Sequence, residues 1–269
     1  KRRNFFKLYL NNLKFKKISK KLDLVTYDYD KINEHGFIII DKFFNKNDCE
    51  IIIKDIDTFI NNNPKFIWKG KNQDWDQRIF GFDLVNKRIS KFLNNTKLIN
   101  SIQQLIGSPV KACYTMANKV INAPYNLGSG GGWHRDSIHK QFKAIVYLSD
   151  VNESTGNLQI ILKSNCYNNL IKTHHILKKN LLDTRFTDSE IIKIVDKQKL
   201  NVVNLIGKAG TLIIFDTSNL HRGAPIKSGS RYAVTNYYYS YLDELTNIHP
   251  NPLIKKDSLN DLWTDHLKQ

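Results

Sequence analysis

Hydrophobic and polar positions follow two different periods along this chain, helical in the first part and alternating in the second. Near the start, apolar residues at 6, 10 and 13, with 5, 8 and 15 beside them, can form one face of a basic amphipathic helix within residues 1–21. His35 to Asp41 contains the apolar run Phe37 to Ile40, which has the length of a buried strand. Asn47-Asp48 precedes apolar positions 51, 52, 53, 56, 59 and 60, the pattern of a capped amphipathic helix. A further helical pattern runs from 86 to 106, where Gly107-Ser108-Pro109 ends it. Beyond this point β-branched and aromatic residues dominate Val110 to Ile121, Lys143 to Leu148, Leu158 to Leu162, Thr211 to Phe215 and Tyr232 to Tyr241. A polar, helix-leaning insertion at 166–198 interrupts the sheet. Helices followed by strands predict an α+β chain, and without a repeat, a linker or a second core it reads as a single domain over 1–269 with its sheet core at 110–242.

Composition narrows this further. A chain of 269 residues, 41% hydrophobic and 11% aromatic, can bury a full core, which excludes disorder and disulfide-stapled miniproteins. The formal charge of +16 raises the question of a polyanionic partner. Lys and Asn are abundant throughout, as in Asn61-Asn62-Asn63 and Lys178-Lys179-Asn180, so the excess is read as background composition from an AT-rich genome, and nucleic-acid binding is not expected. The basic start could touch an anionic membrane, but its plainer reading is a packed helix with solvated lysines. Cys49, Cys113 and Cys166 lack metal-site spacing, which fits a reducing, cytoplasmic setting. No apolar run approaches the roughly 20 residues of a membrane span. The chain opens at Lys1 without Met, so the lack of a leader does not itself fix the compartment.

The candidate chemistry lies in Gly130-Gly131-Gly132-Trp133-His134-Arg135-Asp136. In an extended strand His134 and Asp136 leave one face and can chelate one metal, while Arg135 leaves the other. His221 lies 85 residues after Asp136 and follows the strand Thr211 to Phe215 and the turn Asp216 to Asn219, so it is the best third ligand. Two imidazoles and a carboxylate form the facial triad of non-haem Fe(II), with three coordination positions left open, although zinc would accept the same groups. Arg231, ten residues beyond His221, can clasp a carboxylate through two parallel hydrogen bonds.

His-x-Asp, a later His and Arg ten residues on resemble the 2-oxoglutarate and Fe(II)-dependent oxygenases. More narrowly, Gly-Gly-Trp-His-Arg-Asp, Tyr147-Leu148-Ser149-Asp150, Gly156-Asn157-Leu158-Gln159-Ile160, the stretch Gly207 to Asp216 and His221-Arg222-Gly223-Ala224-Pro225 are similar to the phytanoyl-CoA dioxygenase family. The resemblance spans about residues 30 to 242. It implies a double-stranded β-helix, a jelly-roll or cupin-like core, flanked by N-terminal helices. It further implies iron on His134, Asp136 and His221, the distal carboxylate of 2-oxoglutarate on Arg231, and O2 as oxidant. Tyr114, Asn118 and Lys143, on strands near the site in the family's order, would line the co-substrate pocket. Asp136 stands where halogenating relatives have a small residue, which implies hydroxylation or a related desaturation or ring closure. Two departures stand out. Only Ser164 is kept where the family often shows Pro-Gly-Ser-His, and Gly223 stands where Ser or Asn is common, so a supporting co-substrate contact is either absent or supplied elsewhere, for example by Ser228.

Other residues receive plainer readings. Arg135 reads as a structural ion-pair former; His35, His139, His174, His175, His249 and His266 read as surface or structural. Tyr237 to Tyr241 could form a base-stacking platform, but alternating burial in a terminal strand explains the run. Trp75 to Asp83 reads as a substrate-covering segment or a surface loop, with Arg78, Asp83 and Trp133 as candidate substrate contacts. The expected substrate is a small, anionic molecule, and nothing in the sequence specifies an oligomeric state. Three alternatives stay open: a nucleic-acid or nucleotide demethylase, a non-catalytic protein that keeps the barrel, and a zinc hydrolase, which would lack an evident general base and leave Arg231 without a role.

Overall fold

A computed structural model describes residues 27–70, 73–240 and Ile254. The basic segment 1–21, Tyr241, His249 and His266 lie outside the described residues. Helix α1 (Tyr29–His35) leads into β1 (Phe37–Ile40), through Gly36 in the left-handed region at φ 79°. Helix α2 (Lys46–Asn62) starts two residues earlier than its sequence signal suggests, because the Asn45 side chain accepts the Asp48 N–H and caps it. Ile52, Ile56 and Phe59 recur on one face of α2 and are fully buried.

The helical pattern 86–106 divides into α3 (Lys87–Leu93) and α4 (Thr96–Ile106). Asn94 closes the first, and the Asn95 side chain accepts the Leu98 N–H to cap the second, so two adjacent asparagines interrupt a continuous apolar period. Gly107 ends α4 at φ 73°, as expected.

The strands β2 (Trp68–Gly70), β3 (Gln73–Phe80), β4 (Val110–Ile121), β5 (Trp133–His134), β6 (Phe142–Tyr147), β7 (Leu158–Ile161), β8 (Arg185–Phe186), β9 (Val202–Leu205), β10 (Leu212–Asp216), β11 (His221–Gly223) and β12 (Ser230–Ser240) form two antiparallel sheets. One sheet has the order β1-β10-β6-β12-β4-β3-β2, and the other β8-β5-β11-β7-β9. Two facing antiparallel sheets with helices at the N-terminal side are the jelly-roll that the family resemblance implies. The insertion is helical as expected, with α5 (Tyr167–Leu177) and α6 (Asp188–Gln198) on either side of β8. The segment Trp75 to Phe80 is not a loop. It belongs to β3 and extends the larger sheet beside β4.

Alternation along the larger sheet divides the molecule. On β12, Tyr232, Val234 and Tyr238 pack into the helix-covered core with Phe59, Ile89 and Leu98. Their neighbours Arg231, Thr235, Tyr237 and Tyr239 face the space between the sheets. The same parity holds on β6, where Phe142, Ala144 and Val146 face the helices while Lys143 and Ile145 face inward. Each fully buried aliphatic or aromatic side chain contributes about 1.5–3 kcal/mol, so a one-residue slip would be strongly opposed. The same fixed register determines which polar residues reach the interior.

Candidate functional site

A cleft of about 910 Å³ opens between the sheets. His134, Asp136 and His221 converge within it, with one ligand atom from each lying within 4.8 Å of the others. β5 and β11 pair in a register that sets His134 opposite His221, which brings the two rings to a centroid distance of 4.4 Å. Asp136 Oδ1 lies 3.5 Å from His134 Nε2 and 4.0 Å from His221 Nε2. Nδ1 of His134 is 2.8 Å from the Gly132 carbonyl, and Nδ1 of His221 is 2.9 Å from the Asn219 carbonyl. A carbonyl can only accept, so each Nδ1 carries the hydrogen and each Nε2 presents its lone pair to the shared centre. Burial and the nearby His221 push the His134 pKa down to about 3, and burial likewise lowers that of His221. Both imidazoles are therefore neutral at pH 7, the state a metal requires.

Asp136 is oriented from behind. Its N–H donates to the Thr217 carbonyl at 3.0 Å, and Lys143 Nζ contacts Oδ2 at 2.5 Å, which leaves Oδ1 toward the histidines. Burial alone would raise the Asp136 pKa, but Lys143 and the two imidazoles hold it below the carboxylate range. Burial pulls the Lys143 pKa down, while Asp136 pushes it further up, so the pair is ionic. The turn before His221 is pinned by Ser164, whose hydroxyl donates to the Ile161 carbonyl and accepts the Leu220 N–H at 2.8 Å. This gives the retained serine a structural reason.

The glycine run before His134 adopts a turn that favours glycine at several positions. Gly128, Gly130, Gly131 and Gly132 all have positive φ, and a Cβ on Gly130 would lie 2.5 Å from His134 Cε1. Arg231 is buried and lines the same cleft. One of its terminal nitrogens donates to the Gly156 carbonyl, and among the described residues its Nε has no hydrogen-bond partner. Ile145, Leu158 and Phe215 line the same cleft. An unsatisfied buried guanidinium nitrogen beside an apolar channel suits a ligand that carries a carboxylate.

Tyr114, Lys143 and Arg78 line the same cleft, and Asn118 adjoins it by donating to Ser129 Oγ at 3.3 Å. Other expected contacts lie elsewhere. Ser228 is exposed and meets Ser154, so it does not replace the side chain missing at Gly223. The space beside Gly223 is already filled, because an added Cβ would lie 3.0 Å from Ser129 Cβ and 3.2 Å from an Arg231 nitrogen. Ser129, which sequence reasoning missed, thus brings its hydroxyl to this region from the glycine run. Trp133 alternates away from His134 into a core with Ile161 and Phe186, under the Arg222 guanidinium. Asp83 accepts the Thr115 N–H and does not line the cleft. Among the described residues Arg135 forms no ion pair. It is 1% exposed, donates to the Ser218 and Ser164 carbonyls and faces the Phe186 ring.

His174 is buried against Phe186, while His35, His139 and His175 are exposed. The tyrosine run alternates between faces: Tyr237 and Tyr239 pack with Tyr114 along the cleft, and Tyr238 turns into the core. It is therefore no exposed stacking platform. Arg185 on β8 also lines the cleft and carried no sequence signal, since only the pairing of β8 with β5 brings it there.

Among solved structures, the chain resembles SnoK, a non-haem alpha-ketoglutarate dependent carbocyclase from nogalamycin biosynthesis, at 12% identity and a TM-score of 0.58, covering 84% of this chain and 92% of that one. EctD from S. alaskensis, solved with 2-oxoglutarate and 5-hydroxyectoine, aligns at 15% identity and a TM-score of 0.57 over 79% of this chain and 74% of that one. HygX from Streptomyces hygroscopicus, solved with nickel and 2-oxoglutarate, aligns at 13% identity and a TM-score of 0.57 over 79% and 85%. At such identities the likeness is one of fold. No curated protein matches the sequence. The family model for phytanoyl-CoA dioxygenase (PhyH) matches residues 32–233, and the chain belongs to this family, whose fold is shared with Fe(II)- and 2-oxoglutarate-dependent oxygenases.

Proposed function

We propose that the protein oxidises an unactivated carbon of a small molecule, by hydroxylation or a related outcome, using Fe(II), 2-oxoglutarate and O2. The observation that carries this reading is the pairing of the His134, Asp136 and His221 convergence with the buried, partly unpartnered Arg231 in one cleft. His134 Nε2, His221 Nε2 and Asp136 Oδ1 would hold the metal through one face. Bound iron with 2-oxoglutarate supplies dioxygen activation coupled to release of carbon dioxide and succinate.

The remaining work belongs to the chain. Arg231 would take the distal carboxylate of the co-substrate, directed by its bond to the Gly156 carbonyl, with Ser129 beside it. Ile145, Leu158 and Phe215 would cover the methylene chain and exclude water. Lys143 neutralises Asp136 and keeps Oδ1 directed at the centre. Positioning of this kind is the protein's main contribution to such chemistry.

The test is anaerobic titration of metal-free protein with Fe(II) and 2-oxoglutarate, following the weak visible charge-transfer band of the chelate. The expected result is a saturable band that His134→Ala abolishes and that Arg231→Ala shifts to far higher 2-oxoglutarate concentration. A folded protein that forms no band would refute the assignment.

A further inference from the structure

The cleft has an uneven charge balance and an uneven wall. Among the described residues its lining carries four cations, Arg78, Lys143, Arg185 and Arg231, against two carboxylates, Asp76 and Asp136. Arg78 is taken by Asp76, with its Nε and one terminal nitrogen both bonded to the carboxylate, and Lys143 is taken by Asp136. Under the function proposed above, on which this inference rests, Arg231 is occupied by the co-substrate. Arg185 remains. It donates to the Gly130 carbonyl at 2.7 Å, and among the described residues it forms no ion pair.

Its place follows from strand pairing. β5 and β8 are antiparallel with His134 directly opposite Arg185, so both side chains leave the same face of the smaller sheet, and their Cβ atoms are about 5 Å apart. Arg185 is solvent-exposed and sits opposite a metal-ligand position. Across the cleft the larger sheet presents aromatic rings. Tyr114 stacks on Tyr237 at 4.6 Å, Phe80 meets Tyr114 edge-on, and Trp68 meets Phe80 in turn. The wall begins at the metal-ligand set, since Lys143 Nζ lies over the Tyr237 ring at 4.3 Å.

We propose that the oxidised substrate is a carboxylic acid with an aromatic or other planar apolar body, whose body lies on the Trp68–Phe80–Tyr237 wall and whose carboxylate pairs with Arg185. A guanidinium can bind a carboxylate through two parallel hydrogen bonds, and here it would trade one bond to a neutral carbonyl for a charged partner. With the anion anchored beside His134, the distance from the carboxylate to the reacting carbon becomes the selected feature.

Binding is read anaerobically as a perturbation of the charge-transfer band of protein loaded with Fe(II) and 2-oxoglutarate. The probes are matched pairs: 2-naphthoate and 2-naphthamide, 3-phenylpropionate and its amide, and hexanoate and hexanamide as the acyclic control. The ring-bearing acids should bind at least about tenfold more tightly than their amides and more tightly than hexanoate, as expected for one desolvated charge-assisted contact. Arg185→Gln should reduce the acid-to-amide ratio towards one, Arg185→Lys should restore part of it, and Trp68→Leu should narrow the gap between ring-bearing acids and hexanoate. Equal binding of acids and amides, an unchanged ratio in Arg185→Gln, or no acid-dependent perturbation in the panel overturns the proposal. The band before any acid is added reports the metal and co-substrate site, so failure there is a separate result that counts against the function itself.

Discussion

Gly130→Ala and Gly132→Ala form a matched pair that tests how finely the glycine turn sets the metal site. The two glycines have φ of 94° and 90°, so each alanine pays a similar backbone penalty, on the order of 1–3 kcal/mol. Their surroundings differ. A Cβ at Gly132 meets nothing within 4 Å, whereas at Gly130 it would stand 2.5 Å from His134 Cε1. Ordinary carbon contacts begin near about 3.5 Å, so His134 must retreat by roughly 1 Å or the turn must open. Metal–ligand distances tolerate only about 0.2 Å, so a shift of that size removes one of three ligands. Both variants should lose stability in urea unfolding of the metal-free protein, Gly130→Ala at least as much as Gly132→Ala. In Co(II) titration Gly132→Ala should stay near wild type, while Gly130→Ala should lose more than about tenfold in affinity, the scale on which misoriented ligands act. Equal metal affinity in the two variants would show that the turn does not position His134 sterically, and the argument would fail.

Three further outcomes follow from the same geometry. Lys143→Met keeps the apolar stem but leaves the Asp136 carboxylate without its cation, so metal-free protein should lose about 3–5 kcal/mol in denaturant unfolding. Saturating Co(II) should recover part of that loss, because the divalent ion replaces the missing positive charge. Ser164→Ala leaves the buried Leu220 N–H without its acceptor and should cost about 1–3 kcal/mol by thermal or urea unfolding; no loss would mean the turn before His221 is held by other bonds. Finally, His134 in the folded chain resists protonation down to about pH 3, whereas the unfolded chain takes up its proton near about pH 6.5. Stability of the metal-free protein is therefore complete above pH 6.5 and should fall as pH drops toward 3, with a slope of about 1.4 kcal/mol per pH unit for one such histidine. Urea midpoints that do not change between pH 7 and 4 would contradict the burial of a neutral imidazole.

The larger strands were legible because period-two alternation is local and survives without its partners. β4 spans Val110–Ile121 as its residue types predict, and the bounds of β6, β7, β10 and β12 move by one or two residues. The spacing of His134, Asp136, His221 and Arg231 was legible for a related reason: each lies on or beside such a strand, where parity says which neighbours share a face. The single helical period across 86–106 concealed a break, because Asn94 and Asn95 act through caps that hydrophobic periodicity does not register. Trp75 to Phe80 read as a substrate-covering segment or a surface loop, and not as a strand, because Asp76 and Arg78 point into a cleft instead of into solvent, and a strand lined with charges loses its apolar signature.

What the sequence determined by itself is therefore an α+β order of N-terminal helices and later strands and the spacing of His134, Asp136, His221 and Arg231, both set by short-range pattern, while the jelly-roll followed from the resemblance of its motifs to a known family. Tertiary structure alone decided the rest of the site. Ser129 reaches Gly223 and Arg185 reaches His134 through chain segments that return from elsewhere, while Ser228, Trp133 and Asp83 are directed away from the cleft. Which side chain fills a given space depends on loop closure and on the pairing of distant strands, and neither leaves a periodic trace along the chain.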